Sequence, residues 1–167
     1  MTTMDITSYN LEELLLAAIK SEKESNNVYK TLAEHVKNGL MKDKFMFLAA
    51  EEQKHKQYIT DLYNAEFPDK KLHLPKQTPV PLPEVSIPKN EDIEISKVLG
   101  QAMKAEEAAH DFYLALSERY QDEAIKNMLH YFADMEMGHY RILEQEKESV
   151  EWFEQSDVYW PMIHAGP

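Results

Sequence analysis

Residues 48–59 read Leu-Ala-Ala-Glu-Glu-Gln-Lys-His-Lys-Gln-Tyr-Ile, and residues 132–143 read Phe-Ala-Asp-Met-Glu-Met-Gly-His-Tyr-Arg-Ile-Leu. In both stretches, the residues at spacings of three and four form one stripe, which we call the seam. This spacing predicts a helix that buries the face carrying the seam. Glu and His occupy the two central seam positions, where Leu or Ile would be expected. Because residues i and i+3 share a helix face, each stretch presents one carboxylate and one imidazole to the core.

The two stretches lie 84 residues apart, and the same offset relates two further segments. Ala18-Ile-Lys-Ser-Glu22 matches Ala102-Met-Lys-Ala-Glu106, and a tyrosine follows seven residues after each glutamate. The chain therefore contains an internal repeat. In each repeat the two seam glutamates are 30 residues apart, so an antiparallel hairpin that turns midway brings them level. The polar residues predicted to meet in one core layer are Glu22, Glu52, His55, Glu106, Glu136 and His139.

Helix-forming residues dominate both repeats, since the 167 residues include only four glycines. Propensity and periodicity predict four helices, at about 11–38, 41–66, 92–119 and 123–155. Each has one apolar seam, which is typical of a four-helix bundle.

Cap residues mark the predicted helix ends. Asn10, with a glutamate three residues later, is the predicted start of the first helix, and Gly39 is its predicted C-terminal stop. The third helix is expected to begin at Asn90 or Asp92, and the fourth at Asp122.

Six of the eight prolines fall between residues 68 and 88. An extended segment of this length reaches about 65 Å, more than the length of about 40 Å of a 27-residue helix. We therefore expect an all-α bundle of two repeated helical hairpins with one long crossover between the second and third helices. The whole chain, 1–167, is predicted to be one domain: hairpin 8–67, Pro-rich crossover 68–90, hairpin 91–156 and tail 157–167.

The polar layer predicts a pair of divalent metal ions. Burying four ionised carboxylates without compensation would cost several kcal/mol each, against a total stability of about 5–15 kcal/mol. No Lys or Arg occupies a seam position. Two divalent cations would balance the four carboxylates, and oxygen ligands with one imidazole per metal suit Fe or Mn. One Glu from each of two helices and Glu-x-x-His from the other two is the arrangement of dinuclear bundle sites.

Composition argues against several other classes of function. Eighteen Lys and Arg against 30 Asp and Glu give a net charge of −12, which disfavours nucleic acid and anionic membrane surfaces as partners. The absence of cysteine excludes disulfides, thiolate metal sites and thiol nucleophiles. No signal peptide or membrane-spanning run is found in the sequence, so a cytoplasmic location is expected.

The chain resembles the ferritin-like superfamily, and specifically the di-iron domain of the rubrerythrin group, from about Leu11 to Phe153. The motifs that carry the resemblance are Glu22-x6-Tyr29, Glu52-x2-His55, Glu106-x6-Tyr113 and Glu136-x2-His139. The resemblance implies a ferritin-like fold and two Fe ions, with Mn as an alternative. It also implies bridging carboxylates from Glu52 and Glu136, terminal carboxylates from Glu22 and Glu106, one His on each metal, and catalytic hydrogen bonds to the carboxylates from Tyr29 and Tyr113.

By the same resemblance, the expected function is that of a peroxidase or oxidase, which reduces hydrogen peroxide or dioxygen and protects against oxidative stress. Rubrerythrins proper have a cysteine-bound iron domain and an additional helix glutamate, whereas this chain has no cysteine and has Ala109 at that position. An external electron donor, such as a rubredoxin-like protein, is therefore expected. A homodimer is also expected. A bacterioferritin-like ferroxidase and a di-iron hydroxylase remain alternatives.

Several other polar residues are weaker candidates. Glu107-Ala-Ala-His110 is a further Glu-x-x-His, but it lies off the seam and residue 23 is lysine at the repeat position of Glu107. We expect this pair to lie at the surface or behind the ligands. Glu24 and Glu51 are expected to be solvated, and His164 is expected to pack or cap rather than bind metal. Met135 or Met137 could line the site.

Overall fold

The computed structural model describes residues 4–87 and 93–163. It contains the helices α1 (Leu11–His35), α2 (Gly39–Glu66), α3 (Ile95–Ser117) and α4 (Glu123–Ile163), with no strand in the described ranges. The predicted all-α class is therefore confirmed. Among the described residues, none of the helices combines the length and the apolar character that crossing a membrane requires.

Side-chain caps define most of the helix starts. Asn10 and Glu13 form a reciprocal capping box on α1, and Asp122 accepts from two backbone amides at the start of α4. Gly39 is not a stop: α1 ends at His35, and Gly39 is the first residue of α2. The reason is the side chain of Asn38, which accepts from the amide of residue 41 and caps the next helix.

The start of α3, at Ile95, and the end of α4, at Ile163, differ from the predictions. Residues 90 and 92, the predicted caps of α3, lie outside the described residues, and Glu94 at the N-cap position makes no side-chain capping bond. Helix α4 continues to Ile163, so most of the predicted tail 157–167 is helical. Neither glycine nor proline occurs from residue 139 to residue 160, which lets the helix continue past its predicted end at 155.

The crossover runs back along α1. At its start Lys70 pairs with Glu12 near the first turn of α1, and further along Glu84 lies 3.3 Å from Lys20. The amide of Ser86 then donates to the side chain of Gln101 on α3. This path lets α3 begin at the end of the bundle where α2 began, so α2 and α3 run parallel. The long crossover between them is confirmed.

The buried apolar residues form two clusters, one towards each end of the bundle. One cluster includes Leu15, Leu62 and Leu116, and the other includes Leu32, Leu48 and Leu99. Buried polar side chains from all four helices lie between the two clusters. The middle of the bundle therefore holds the charged groups with apolar packing above and below them.

Candidate metal centre

The structure brings the six predicted ligands together in one buried layer. None of these six residues is more than 4 % exposed. Each hairpin contributes one glutamate from its first helix and a Glu-x-x-His from its second helix, as the repeat predicted. The six residues are Glu22, Glu52, His55, Glu106, Glu136 and His139.

Two of the glutamates lie between the two histidines. The Nδ1 of His55 is 3.3 Å from a Glu52 oxygen and 2.9 Å from a Glu136 oxygen. The Nδ1 of His139 is 3.2 Å from the other Glu52 oxygen and 3.0 Å from the other Glu136 oxygen. Each of these two carboxylates therefore turns one oxygen towards each histidine, which is the geometry of a bridging ligand.

The remaining two glutamates each accompany one histidine. Glu22 lies 3.7 Å from Nδ1 of His55, and Glu106 lies 3.8 Å from Nδ1 of His139. The donor atoms consequently form two groups, each with all atoms within 4.8 Å of one another, and Glu52 and Glu136 belong to both groups. Each group has three carboxylates and one imidazole and could hold one metal ion.

Several side-chain atoms that could bind metal make no hydrogen bond in this layer. Both carboxylate oxygens of Glu52, Oε1 of Glu136 and Nδ1 of His55 are fully buried and, although they lie close to one another, none of them makes a hydrogen bond of suitable geometry. Unpaired buried polar atoms are costly, and carboxylates gathered with imidazoles fit a pair of divalent cations. The residues present thus fit the metal pair expected from the sequence.

Two tyrosines connect the hairpins behind the ligands. The hydroxyl of Tyr29 on α1 donates to Glu106 on α3, and the hydroxyl of Tyr113 on α3 donates to Glu22 on α1. Both phenols are buried, and burial followed by the nearby carboxylates raises the pKa of each well above its usual value. They therefore keep their protons and act as neutral donors to the terminal carboxylates.

Without metal, the layer favours protonation of most of its groups. Burial, with repulsion from Glu52, raises the pKa of Glu22 to about 8, and burial with nearby carboxylates raises the pKa of Glu136 to about 7. Burial also raises the pKa of Glu52. For His55, burial alone would lower the pKa, but the surrounding carboxylates outweigh burial and raise it to about 12.

Glu106 differs from the other three glutamates of the layer in the direction of its pKa change. Burial opposes ionisation of Glu106 as well, but contacts with His139 outweigh it and lower the pKa of that carboxyl. The pKa of His139 is in turn raised, because its carboxylate neighbours outweigh burial. Glu106 and His139 therefore form an ion pair in the metal-free protein.

Metal binding at pH 7 is expected to release about two or more protons per pair of ions, because metal ligands must be deprotonated. The pKa values of His55 and Glu22 lie above 7, and those of His139, Glu52 and Glu136 are raised, so metal has to displace protons from this layer. Calorimetric titration with Mn²⁺ in buffers of different ionisation enthalpy measures the release. At pH 9 the number of protons released should be smaller, since Glu22 and Glu136, with pKa values of about 8 and 7, are then mostly ionised. Release of fewer than one proton at pH 7 would contradict these protonation states.

The residues outside the seam lie away from the donor atoms. Glu107 is exposed, and Glu24 is half-exposed and pairs with Lys20. Glu51 was expected to be solvated, but its side chain is only 12 % exposed, and it pairs with Lys54 at 2.6 Å. His164 lies outside the described residues, and Met135 and Met137 are partly buried.

Sequence reasoning missed the role of residues 26 and 110. Asn26 is buried on α1, where its side chain donates to the backbone of α2. His110, expected at the surface or behind the ligands, contacts the backbone of α4. The signal that could have found them is the repeat itself, since the two positions differ by the same 84 residues as the ligands.

Comparison with protein families gives a match to the rubrerythrin model over residues 13–147, a range that contains all six residues of the layer. The chain belongs to the rubrerythrin family. No curated protein matches this rubrerythrin-family chain. Among solved structures, it is similar to a hypothetical protein from Pyrococcus furiosus, with 38% sequence identity and a TM-score of 0.78, over 89% of this chain and 95% of that one.

A second solved structure that is similar to this chain is described as that of a di-iron protein. It is a proposed ferritin-like diiron-carboxylate protein from Thermotoga maritima, with 25% identity and a TM-score of 0.69, over 84% of this chain and 95% of that one. The ferritin-like fold expected from the sequence is thus confirmed for this rubrerythrin-family protein.

Proposed function

We propose that this protein is a non-haem di-iron oxidoreductase that reduces hydrogen peroxide, with dioxygen as the alternative oxidant. The observation that supports the proposal most directly is that Glu52 and Glu136 each turn one oxygen towards each of the two histidines. This arrangement can hold two redox-active ions side by side. Glu22 with His55, and Glu106 with His139, would complete the two ligand sets.

Reduction of hydrogen peroxide to two water molecules consumes two electrons and two protons. When bound, a pair of ferrous ions supplies the two electrons, one from each ion. The chain's own contribution is to place the pair in a layer closed above and below by apolar clusters. Bulk water is therefore excluded from the ligand atoms, which strengthens electrostatic interactions within the layer.

Tyr29 and Tyr113 hold protons next to the terminal carboxylates. Their O–H groups donate to Glu106 and Glu22, which fixes the orientation of these carboxylates and moderates their negative charge. Because the phenol pKa values are raised, both hydroxyls stay protonated throughout the neutral range. The tyrosines therefore position the terminal ligands from opposite hairpins.

The proposal is tested by oxidising the ferrous protein anaerobically with peroxide and, separately, with dioxygen. Stopped-flow absorbance measures both rates. We expect peroxide to oxidise the ferrous protein at least about tenfold faster than dioxygen does, with two ferrous ions oxidised per peroxide consumed. Faster oxidation by dioxygen would make dioxygen the oxidant in place of peroxide, and oxidation of the loaded protein by neither oxidant would contradict the proposed function. Recovery of the ferrous state on addition of a rubredoxin-like donor would identify the class of reductant.

A ferroxidase of the bacterioferritin type is the second candidate. It is favoured by the symmetrical set of four glutamates and two histidines and by alanine at position 109, where rubrerythrins proper have a further carboxylate. Light scattering separates iron storage from the first proposal, because storage needs a closed shell of many subunits. We propose a homodimer, acting in the cytoplasm, and a large shell would contradict it.

A further inference from the structure

Two contacts between helices repeat with the same 84-residue offset as the ligands. On α1, Nδ2 of Asn26 donates to the carbonyl oxygen of Ala49 on α2 at 2.5 Å. On α3, Nδ1 of His110 lies 3.2 Å from the carbonyl oxygen of Ala133 on α4. Because a carbonyl oxygen only accepts hydrogen bonds, Nδ1 of His110 carries the proton in this contact.

Asn and His supply the same donor at these positions. The amide nitrogen of Asn and Nδ1 of His are both bonded to Cγ, so each places an N–H group at the same distance along its side chain. The two acceptors are also equivalent, since Ala49 and Ala133 are both buried. Their small side chains let the neighbouring side chain reach the helix backbone. The two contacts are therefore equivalent, although different residue types make them in the two repeats.

The contacts lie one helical turn from the ligands on both sides. Ala49 precedes Glu52 by three residues, and Ala133 precedes Glu136 by three. The donors follow the terminal glutamates by four residues, so they lie on the same helix face as these ligands. Each contact thus joins the turn next to a terminal ligand to the turn before a bridging ligand.

We propose that Asn26 and His110 are equivalent positioning residues, each of which keeps the bridging glutamate of its hairpin level with the terminal glutamate. This inference rests on the proposed metal site but not on the reaction. Without the N–H donor, α2 or α4 can rotate or slide against its neighbour. A bridging carboxylate has to reach two ions at once, so a small displacement weakens binding of the second ion most.

The test is titration with Mn²⁺, in which free Mn²⁺ is measured by its EPR signal. We expect wild-type protein to bind two ions, and Asn26→Leu and His110→Leu to lower the affinity for the second ion by about 10- to 100-fold. His110→Asn should keep wild-type affinity, because Asn supplies the same donor as in the other hairpin. A purely structural role for the imidazole ring would not predict this rescue.

Ser117→Ala is the matched control. Ser117 is buried on α3, where its hydroxyl donates to the carbonyl of Leu114 at 2.7 Å and lies 2.9 Å from Nε2 of His130 on α4. This contact between α3 and α4 lies about three helical turns from Glu106, so it tests a contact remote from the ligands. This variant should lower the melting temperature and leave both Mn²⁺ affinities unchanged.

Three outcomes would overturn the inference. Unchanged second-ion affinity in both Leu variants removes the positioning role, and affinity in His110→Asn as low as in His110→Leu removes the equivalence of the two donors. Binding of fewer than two ions by the wild type overturns this inference together with the metal site. If two ions bind but peroxide is not reduced, only the proposed reaction fails.

Discussion

Replacing Glu52 or Glu136 with alanine is expected to abolish binding of a metal pair and to leave at most one ion per chain. Each of these glutamates belongs to both ligand groups, so its loss removes one donor from each ion. It also removes negative charge from between two cations whose repulsion it offsets. Loss of a terminal ligand, as in Glu22→Ala, removes a donor from one ion only and should be less severe.

Metal content measured by elemental analysis after loading with Fe²⁺ or Mn²⁺ and dialysis checks this result. Glu107→Ala is the matched control, since Glu107 neighbours Glu106 in sequence but is exposed. It should retain two ions per chain. Full occupancy by two ions in Glu136→Ala would contradict the bridging assignment.

Removal of metal is expected to lower stability by about 4 kcal/mol at neutral pH, when the loaded protein is compared at a free metal concentration a thousandfold above the dissociation constant. Metal bound only to the native state stabilises it, and its removal leaves desolvated carboxylates facing one another. For a chain of this size the difference corresponds to about 8–16 °C in melting temperature. Thermal melts with Mn²⁺ and with a chelator measure it. Identical melts from pH 5.5 to 7.5 would contradict a buried carboxylate layer.

The stability of the metal-free protein should also fall as pH rises from about 5 to 8. The folded pKa values of Glu22 and Glu136, about 8 and 7, lie above the ordinary value of 4.5, so the native state binds more protons than the unfolded chain in this range. The raised pKa of His55 acts in the same direction above pH 6.5. Each unit of pKa displacement is worth about 1.4 kcal/mol.

Glutamine variants separate this cause from a general effect of pH. Gln cannot ionise, so replacing the four seam glutamates together should remove most of the decline in stability between pH 5.5 and 7.5 and the dependence on metal. Glu107→Gln is again the control, because an exposed carboxylate should change neither. Retention of the full decline in the fourfold variant would place its origin outside the layer.

The buried layer of carboxylates and imidazoles could be predicted because two independent regularities coincide at the same residues. Helical periodicity placed Glu52 and His55 in the core, and the internal repeat placed Glu136 and His139 there by the same rule. A charged residue at a core position is expensive, so it stands out against the apolar seam. The way each bridging carboxylate divides its oxygens between the histidines depends on side-chain torsions, which only the structure supplies.

The predictions that were wrong or incomplete concern residues whose role depends on side-chain contacts. Gly39 has the residue type of a helix stop, but the side chain of Asn38 caps α2 and makes Gly39 its first residue. The contact of Asn26 with α2 was missed because an amide can bond in many directions, and its partner is a backbone atom without a sequence signature. Glu51 lies off the seam and was therefore expected to be solvated, but its side chain is only 12 % exposed and pairs with Lys54.

Each ligand group draws three residues from one hairpin and one from the other. Glu22, Glu52 and His55 need Glu136 from the second hairpin to complete their set, and the reverse holds for the other group. A gene encoding only one repeat would therefore yield a hairpin that needs a second copy of itself to assemble either set. Duplication and fusion of such a gene would preserve the arrangement while freeing the halves to diverge, as Asn26 and His110 have done.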